Sequence, residues 1–253
     1  MRMDLLCSGS KGNSCLIRDR DTTLLIDCGS TKKYLMGLIE RAGVQLEDLD
    51  GLLVTHTHTD HVSQIKHFKN KPIYSYCDIK DINDHRRVKP AETFTIGSLQ
   101  ISVIGLSHDS PDTVGYVIQS QEEKLVYITD TGFIPNRFKS ELENADYYIF
   151  ESNHDIQQLL KTSRPMFVKQ RILGDSGHLC NEDSAHNLSQ IVNTQTKEIV
   201  LAHLSEEANH PELALEVMED TFRKQSLPLS GIRVRAASQF EPLVLGQLDL
   251  NDK

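Results

Sequence analysis

The chain has no Trp, and Phe, Tyr and Trp together make up only 6% of its 253 residues. No apolar run approaches the ~20 residues a membrane-spanning helix needs, so no membrane partner is expected. The opening MRMDLLCSGSKGN has neither a long apolar core nor a small-residue cleavage site, and no secretory signal is expected. The five cysteines, at 7, 15, 28, 77 and 180, are odd in number, widely spaced and without a CxxC pair. That pattern disfavours a disulfide framework, a zinc–thiolate site and a Cys nucleophile, and it predicts reduced thiols in the cytoplasm. The early SGSKGN has turn residues and a lysine but lacks the GK[ST] ending of a phosphate loop, so nucleotide binding there is not expected. Positive charge is also short, with 27 Lys and Arg against 36 Asp and Glu for a net of −9. Such a balance is awkward for a binder of phosphate backbones.

What remains is an ordinary soluble composition, 38% hydrophobic and 25% charged. With no repeat, low-complexity segment or long linker, residues 1–253 read as one domain. Basic residues cluster in KHFKNK (66–71), HRRVK (85–89), RPMFVKQR (164–171) and RVR (233–235). Each is either a solvated face or part of a local positive rim. Bound metal ions would add positive charge that the count omits.

Short apolar runs bounded by Gly, Ser and Asp predict strands at DLLCS, NSCLIRD, TTLLIDCG, GLLVTH and PIYSY. TFTIGSLQISVIG, VGYVIQS, KLVYITD, ADYYIFE and KEIVLAH continue the pattern, with two more strands at the end of the chain. Helices are predicted at KKYLMGLIERAG, at about 156–162 and 182–193, and at PELALEVMEDTFRKQ. Asn181 is the expected N-cap of the third. Residues 77–89 read as partly helical. Strands dominate each half and helices fill between them, which predicts two sheets packed face to face with helices outside, an α/β (α+β) fold.

LLVTHTHTDH (52–61) places His56, His58, Asp60 and His61 within six residues, directly after an apolar run. Imidazole and carboxylate both offer lone pairs to a divalent metal at neutral pH. His56 and His58, two residues apart, turn the same way if the loop stays extended, and His108 is a candidate third ligand. Asp60 and His61 lie beyond the turn and face a second position that His203 could complete. Asp130, with two carboxylate oxygens, can bridge. His56, His108, Asp130, Glu151 and His203 each fall at or just past the C-terminal end of a predicted strand, so the strand ends would gather them at one edge. Two divalent ions ~3.5–4 Å apart would clamp the oxygens of a displacement and supply hydroxide near neutral pH. Zn²⁺, Mn²⁺ and Fe all suit such donors.

THTHTDH resembles the signature of the metallo-β-lactamase superfamily. The later motifs arrive in that family's order: Asp27 in LLIDCG, His108 in LSHDS, Asp130 in YITDTG and His203 in LAHLS. SGSKGNS, DTVGY, YITDTG, FESNHD, GHLCNEDSA and LAHLSEEAN make the chain similar, more narrowly, to the YycJ/WalJ/VicX group of bacterial proteins. The resemblance implies the αβ/βα four-layer sandwich, two metals, and metal-dependent cleavage of nucleic-acid phosphodiesters, most often as a 5′-to-3′ DNA exonuclease. RNA is a further possible substrate. By analogy with the tRNA 3′-processing members, His178, oriented by Glu151, is the candidate general acid or phosphate contact. Its alternative role is to cap the helix near Asn181. Asp27 either supports a ligand histidine or closes the DCG turn, and His154 either touches substrate or fixes a loop. His67, His85, His186 and His210 read as structural or exposed. Cys180 stands where the group commonly has Ser, which puts a hydroxyl contact there in doubt.

Two rivals stand beside the nuclease. One is a small-molecule hydrolase on the same fold, a glyoxalase-II-like thioesterase or a cyclic phosphodiesterase. The other is an interaction protein with a vestigial centre, against which seven intact candidate ligands speak.

Overall fold

Two seven-stranded sheets face each other in the computed structural model, which describes residues 1–227 and 229–247. The first contains β1 (Arg2–Cys7), β2 (Ser14–Asp19), β3 (Thr22–Ile26), β4 (Gly51–Val54), β5 (Ile73–Ser75) and β6 (His85–Arg87) in that order, with β14 (Leu243–Gly246) beside β1. The second runs from β7 (Thr93–Ile96) through β8 (Leu99–Gly105), β9 (Val114–Gln119), β10 (Lys124–Ile128), β11 (Tyr147–Glu151) and β12 (Glu198–Ala202) to β13 (Arg233–Ala236). The helices are α1 (Lys32–Arg41), α2 (Thr59–Val62), α3 (Lys139–Leu142), α4 (Ile156–Lys161), α5 (Met166–Leu173), α6 (Asn181–Ile191) and α7 (Pro211–Lys224).

The period-two alternation of a strand decides the layers. Leu24 and Ile26 of β3 point into a core between the sheets, where they join Ile101, Tyr116, Ile149 and Val200. Leu25, between them, joins Leu35, Leu38 and Ile39 of α1 on the outer face. On the other side, Tyr148, Phe150 and Leu201 pack against Leu188 of α6 and Met218 and Phe222 of α7. The result is helix, sheet, sheet, helix: the expected four layers. Each of these buried side chains contributes about 1.5–3 kcal/mol by leaving water.

Strand direction gathers the site. β3, β4 and β5 are mutually parallel, as are β10, β11, β12 and β13. β8 shares the direction of β10, because β9 is antiparallel to both. The C-terminal ends of these strands therefore meet at one end of the sandwich.

Three expectations are corrected. Residues 77–89 contain no helix; β6 forms there by parallel pairing with β5, and the Asp and Asn residues before it favour turns. The N-cap of α6 is Cys180, not Asn181: its sulfur accepts from the Asp183 N–H at 3.4 Å, while Asn181 is already helical. The segment RPMFVKQR, read only as a basic cluster, contains most of α5, which follows Pro165.

Candidate metal centre

β4 delivers the histidine cluster. His56 lies two residues past its end, His58 sits at the N-cap of α2, and Asp60 and His61 lie within that short turn. Backbone hydrogen bonds clamp the turn from below: Asn13 N–H donates to the Asp60 carbonyl at 2.8 Å and Cys28 N–H to the His61 carbonyl at 2.7 Å. The approach is close enough that a Cβ on Gly29 would lie 1.7 Å from the Asp60 carbonyl oxygen. Only glycine fits.

The second sheet supplies the rest. His108 follows β8, Asp130 follows β10, Glu151 ends β11 and His203 follows β12, while His178 comes from the loop between α5 and α6. Asp27, Asp130 and His203 each take a left-handed backbone, with φ of +55°, +57° and +56°. That conformation costs a non-glycine residue about 1–3 kcal/mol and clusters where function requires it.

All the predicted ligands converge. His56, His58 and His108 bring one donor atom each within 4.8 Å of one another, and so do Asp60, His61 and His203. Asp130 lies between the two groups: Oδ2 is 3.1 Å from His61 Nε2, and Oδ1 is 3.6 Å from His203 Nε2 and 3.8 Å from His108 Nε2. Supporting bonds orient the rings. His61 Nδ1 lies 2.7 Å from Asp27 Oδ2, whose carboxylate also accepts from the Thr55 N–H and hydroxyl at 2.8 Å each. His108 Nδ1 donates to the Gly177 carbonyl at 3.0 Å, which leaves Nε2 with its lone pair facing the centre. Glu151 Oε1 takes both His178 Nδ1, at 2.7 Å, and His203 Nδ1, at 3.1 Å, while its Oε2 accepts from Thr131 N–H at 2.8 Å. His178 is thus tied to Glu151 rather than capping α6.

The electrostatics follow from this crowding. Burial alone would raise the Asp130 and Glu151 pKa values, but the neighbouring imidazoles prevail: His203 and His61 hold Asp130 well below the carboxylate range, and His178 and His203 hold Glu151 at about 2. Burial alone would lower His203 and His61. Asp130 with Asp60 and Glu151 instead raises His203 to about 10, and Asp130 with Asp27 holds His61 well above the imidazole value. His56, by contrast, is pushed well below it by burial and by His61. Carboxylates and imidazoles thus face one another across the centre, and the carboxylate charge gathered there favours cations.

Orphaned atoms test the fit. His56 Nε2, Asp130 Oδ2 and His203 Nε2 are buried and have no hydrogen-bond partner among the described residues. The 3.1 Å approach of His61 to Asp130 Oδ2 is an ion contact without hydrogen-bond alignment. Buried polar atoms left this way cost about 1–3 kcal/mol each. Three of them, all from predicted ligands and two from imidazoles, suit divalent metal ions.

Several participants escape a reading by spacing. Asn13, in the discounted SGSKGN stretch, places its Nδ2 3.2 Å from Asp60 Oδ2 and 2.9 Å from His61 Nε2. Ser8 accepts from the His203 N–H at 2.8 Å, and Asp109 Oδ1 lies 3.2 Å from His108 Nε2. Only the direct sequence neighbour of His108 carried any signal. His154 is buried and pairs by backbone with Cys180, and neither ring nitrogen has a partner among the described residues. Of the basic clusters, Arg233 and Arg235 sit at the opposite end of the sheets, against Glu198. Arg164 and Arg171 pair with Glu207 and Asp109, Lys169 donates to the Leu160 and Thr162 carbonyls, and Arg86 and Arg87 face Asp84 and Asp78.

Comparison with known proteins agrees with the geometry. Residues 22–204 match the beta-lactamase superfamily domain. The exodeoxyribonuclease YycJ of Bacillus anthracis is 34% identical over 227 residues, 85% of this chain and 86% of that protein. The exodeoxyribonuclease WalJ of Streptococcus pneumoniae D39 is 33% identical over 241 residues, 89% of this chain and 90% of its own length. Among solved structures, the metallo-β-lactamase-fold protein YhfI of Bacillus subtilis superposes with a TM-score of 0.70 at 20% identity, over 96% of this chain and 100% of that one. No helix among the described residues is long and apolar enough to cross a membrane. The donor set, the four layers and these likenesses agree: the chain belongs to the metallo-β-lactamase superfamily, whose fold implies a divalent-metal site.

Proposed function

We propose that the protein is a metal-dependent phosphodiesterase of nucleic acid, acting as a 5′-to-3′ DNA exonuclease. The observation that carries this reading is the 33–34% identity, along 85–89% of the chain, to two exodeoxyribonucleases. The intact donor set at the strand ends supports it.

His56, His58 and His108 would hold one divalent ion and Asp60, His61 and His203 a second, with Asp130 shared; Zn²⁺ and Mn²⁺ suit these donors, and Fe is compatible. Bound ions supply Lewis acidity toward the phosphodiester and lower the pKa of water. Asp27 and the Gly177 carbonyl keep His61 and His108 aimed inward. Asp60, beside His61 and within hydrogen-bond reach of Asn13, is positioned to orient the attacking oxygen. His178 is partly open to solvent, with Nδ1 tied to Glu151, so its Nε2 is the atom able to hand a proton to the leaving oxygen. Five buried free thiols support a reducing compartment, the cytoplasm.

The test is a digestion time course on DNA labelled separately at each end, with Mn²⁺ or Zn²⁺ and with 5′-phosphate or 5′-hydroxyl termini. Metal-dependent release from the 5′ end is expected, and Asp60→Ala should reduce it at least ~100-fold. Release from the 3′ end would overturn the polarity. Inactivity on DNA combined with hydrolysis of thioesters or small phosphodiesters would overturn the nuclease reading.

A further inference from the structure

A cleft of about 470 Å³ opens beside the metal centre, with His108 in its wall. That volume falls within the ~300–1,000 Å³ of sites that take small organic groups. Tyr76, Phe133 and Pro90 form apolar walls, and Arg137 lies at its border.

Two features set the cleft apart from ordinary surface. Phe133 is 43% exposed, yet its loop is rigidly tied. It lies three residues past Asp130. Thr131 N–H donates to Glu151, the Thr131 hydroxyl donates to the Phe133 carbonyl at 2.8 Å, and Gly132 N–H donates to the Ser107 carbonyl at 2.8 Å. A Cβ on Gly132 would meet the Asp175 carbonyl oxygen at 2.2 Å, so the loop is pressed against the segment before His178. The backbone that carries this exposed aromatic side chain is therefore fixed beside Asp130, a candidate metal ligand. The second feature is Arg137, whose guanidinium lies over the Phe138 ring at 4.8 Å and makes no ion pair among the described residues. Other arginines near the site are committed to carboxylates, such as Arg171 to Asp109 and Arg87 to Asp78. The one acidic wall residue, Asp112, faces Arg87 at 3.9 Å.

We propose that this cleft is a nucleotide subsite, in which Phe133 and Tyr76 receive the base next to the scissile phosphodiester and Arg137 meets a neighbouring phosphate. Adjacency to the metal centre, whose predicted ligand His108 lines the cleft, and a cation without an ion pair among the described residues select this occupant. An aromatic face stacks on any base, so the subsite favours nucleotides over non-nucleotide esters without reading sequence. An unpaired guanidinium in a chain of net charge −9 supplies the local attraction that the overall charge denies. The inference deepens the proposed function and rests on it for the polymeric substrate.

The experiment measures calorimetric binding of deoxyadenosine 5′-monophosphate and of deoxyribose 5-phosphate to the full chain, with DNA hydrolysis in parallel. Wild type, Phe133→Ala and Arg137→Gln are compared. The nucleotide is expected to bind wild type about 5- to 100-fold more tightly than the base-free sugar phosphate, the range that one stacked base gives. Phe133→Ala should erase that preference, whereas Arg137→Gln should weaken both ligands and leave the ratio. Both substitutions should raise KM for DNA. Because both side chains are exposed, the thermal midpoint should move little. Equal binding of the two ligands to wild type, or a preference that survives Phe133→Ala, overturns the subsite even if DNA is digested. A preference that behaves as expected in a protein that digests no DNA keeps the subsite and overturns the nuclease reading instead.

Discussion

The two ends of the sandwich are made by the same strands and differ in how they treat polar groups. At the end where β11 and β12 begin, two carboxylates are firmly paired. Glu123 accepts from the Met1 amino group at 2.5 Å, from Lys197 at 2.8 Å and from the Tyr147 hydroxyl at 2.9 Å. Glu198 takes Arg235 at 2.6 Å. At the other end, His56, Asp130 and His203 keep buried atoms without hydrogen-bond partners among the described residues. One end pairs these carboxylates within the protein; the other leaves atoms of its predicted ligands without such partners among the described residues. Natural sequences break the rules of polar satisfaction mainly where function demands it.

That contrast can be broken most severely at Gly29. Gly29→Ala drives a methyl group into the Asp60 carbonyl, so α2 must shift. The expected outcome is a loss of about 1–3 kcal/mol of stability together with nearly all hydrolysis, read by thermal unfolding and DNA digestion. Retained activity would show that the turn does not depend on this clamp.

Glu151→Gln comes next. It removes the charge shared by His178 and His203, and kcat should fall roughly 100-fold or more. The pH–rate profile separates the causes: a change in the limb assigned to the general acid marks the loss of orientation at His178, while an unchanged shape with lower amplitude would assign Glu151 a purely structural part. Asp27→Asn keeps the shape of the support but weakens its hold on His61. Metal affinity, measured by competition with a chelator, should fall about 10- to 100-fold.

The far end gives the smallest effect on catalysis. Glu123→Gln should leave kcat and metal affinity unchanged and cost about 1–3 kcal/mol of stability at neutral pH. Although burial opposes it, Lys197, the amino terminus and Tyr147 hold the folded Glu123 pKa below the ordinary 4.5. Its contribution is therefore fully present above about pH 4.5 and is lost as pH falls through the lower folded value. Chemical denaturation across that window should show the wild-type advantage over Glu123→Gln shrinking. An altered catalytic rate in this variant would mean that the two ends are coupled.

The donor types were legible in the chain itself. His56, His58, Asp60 and His61 form one local motif, and the lone pairs they offer a metal belong to the side chains themselves. The layers were legible too, because Leu24, Leu25 and Ile26 must point to alternating faces. Segments governed by other forces read poorly. The stretch before β6 offers mixed local preferences, and only pairing with β5 makes a strand there. Cys180 took the cap that Asn181 was expected to fill because a thiol also accepts an N–H.

What tertiary structure alone decided is which groups stand beside the donors. Strand pairing carries His108, Asp130, Glu151 and His203, up to 95 residues apart, to one edge. It brings Asn13 and Ser8 there from a loop with no recognisable metal motif, and it turns the Gly177 carbonyl toward His108. Sequence alone therefore determined the chemistry available, since that is local to each side chain. The fold determined its geometry, since orientation and burial arise only when distant strand ends meet.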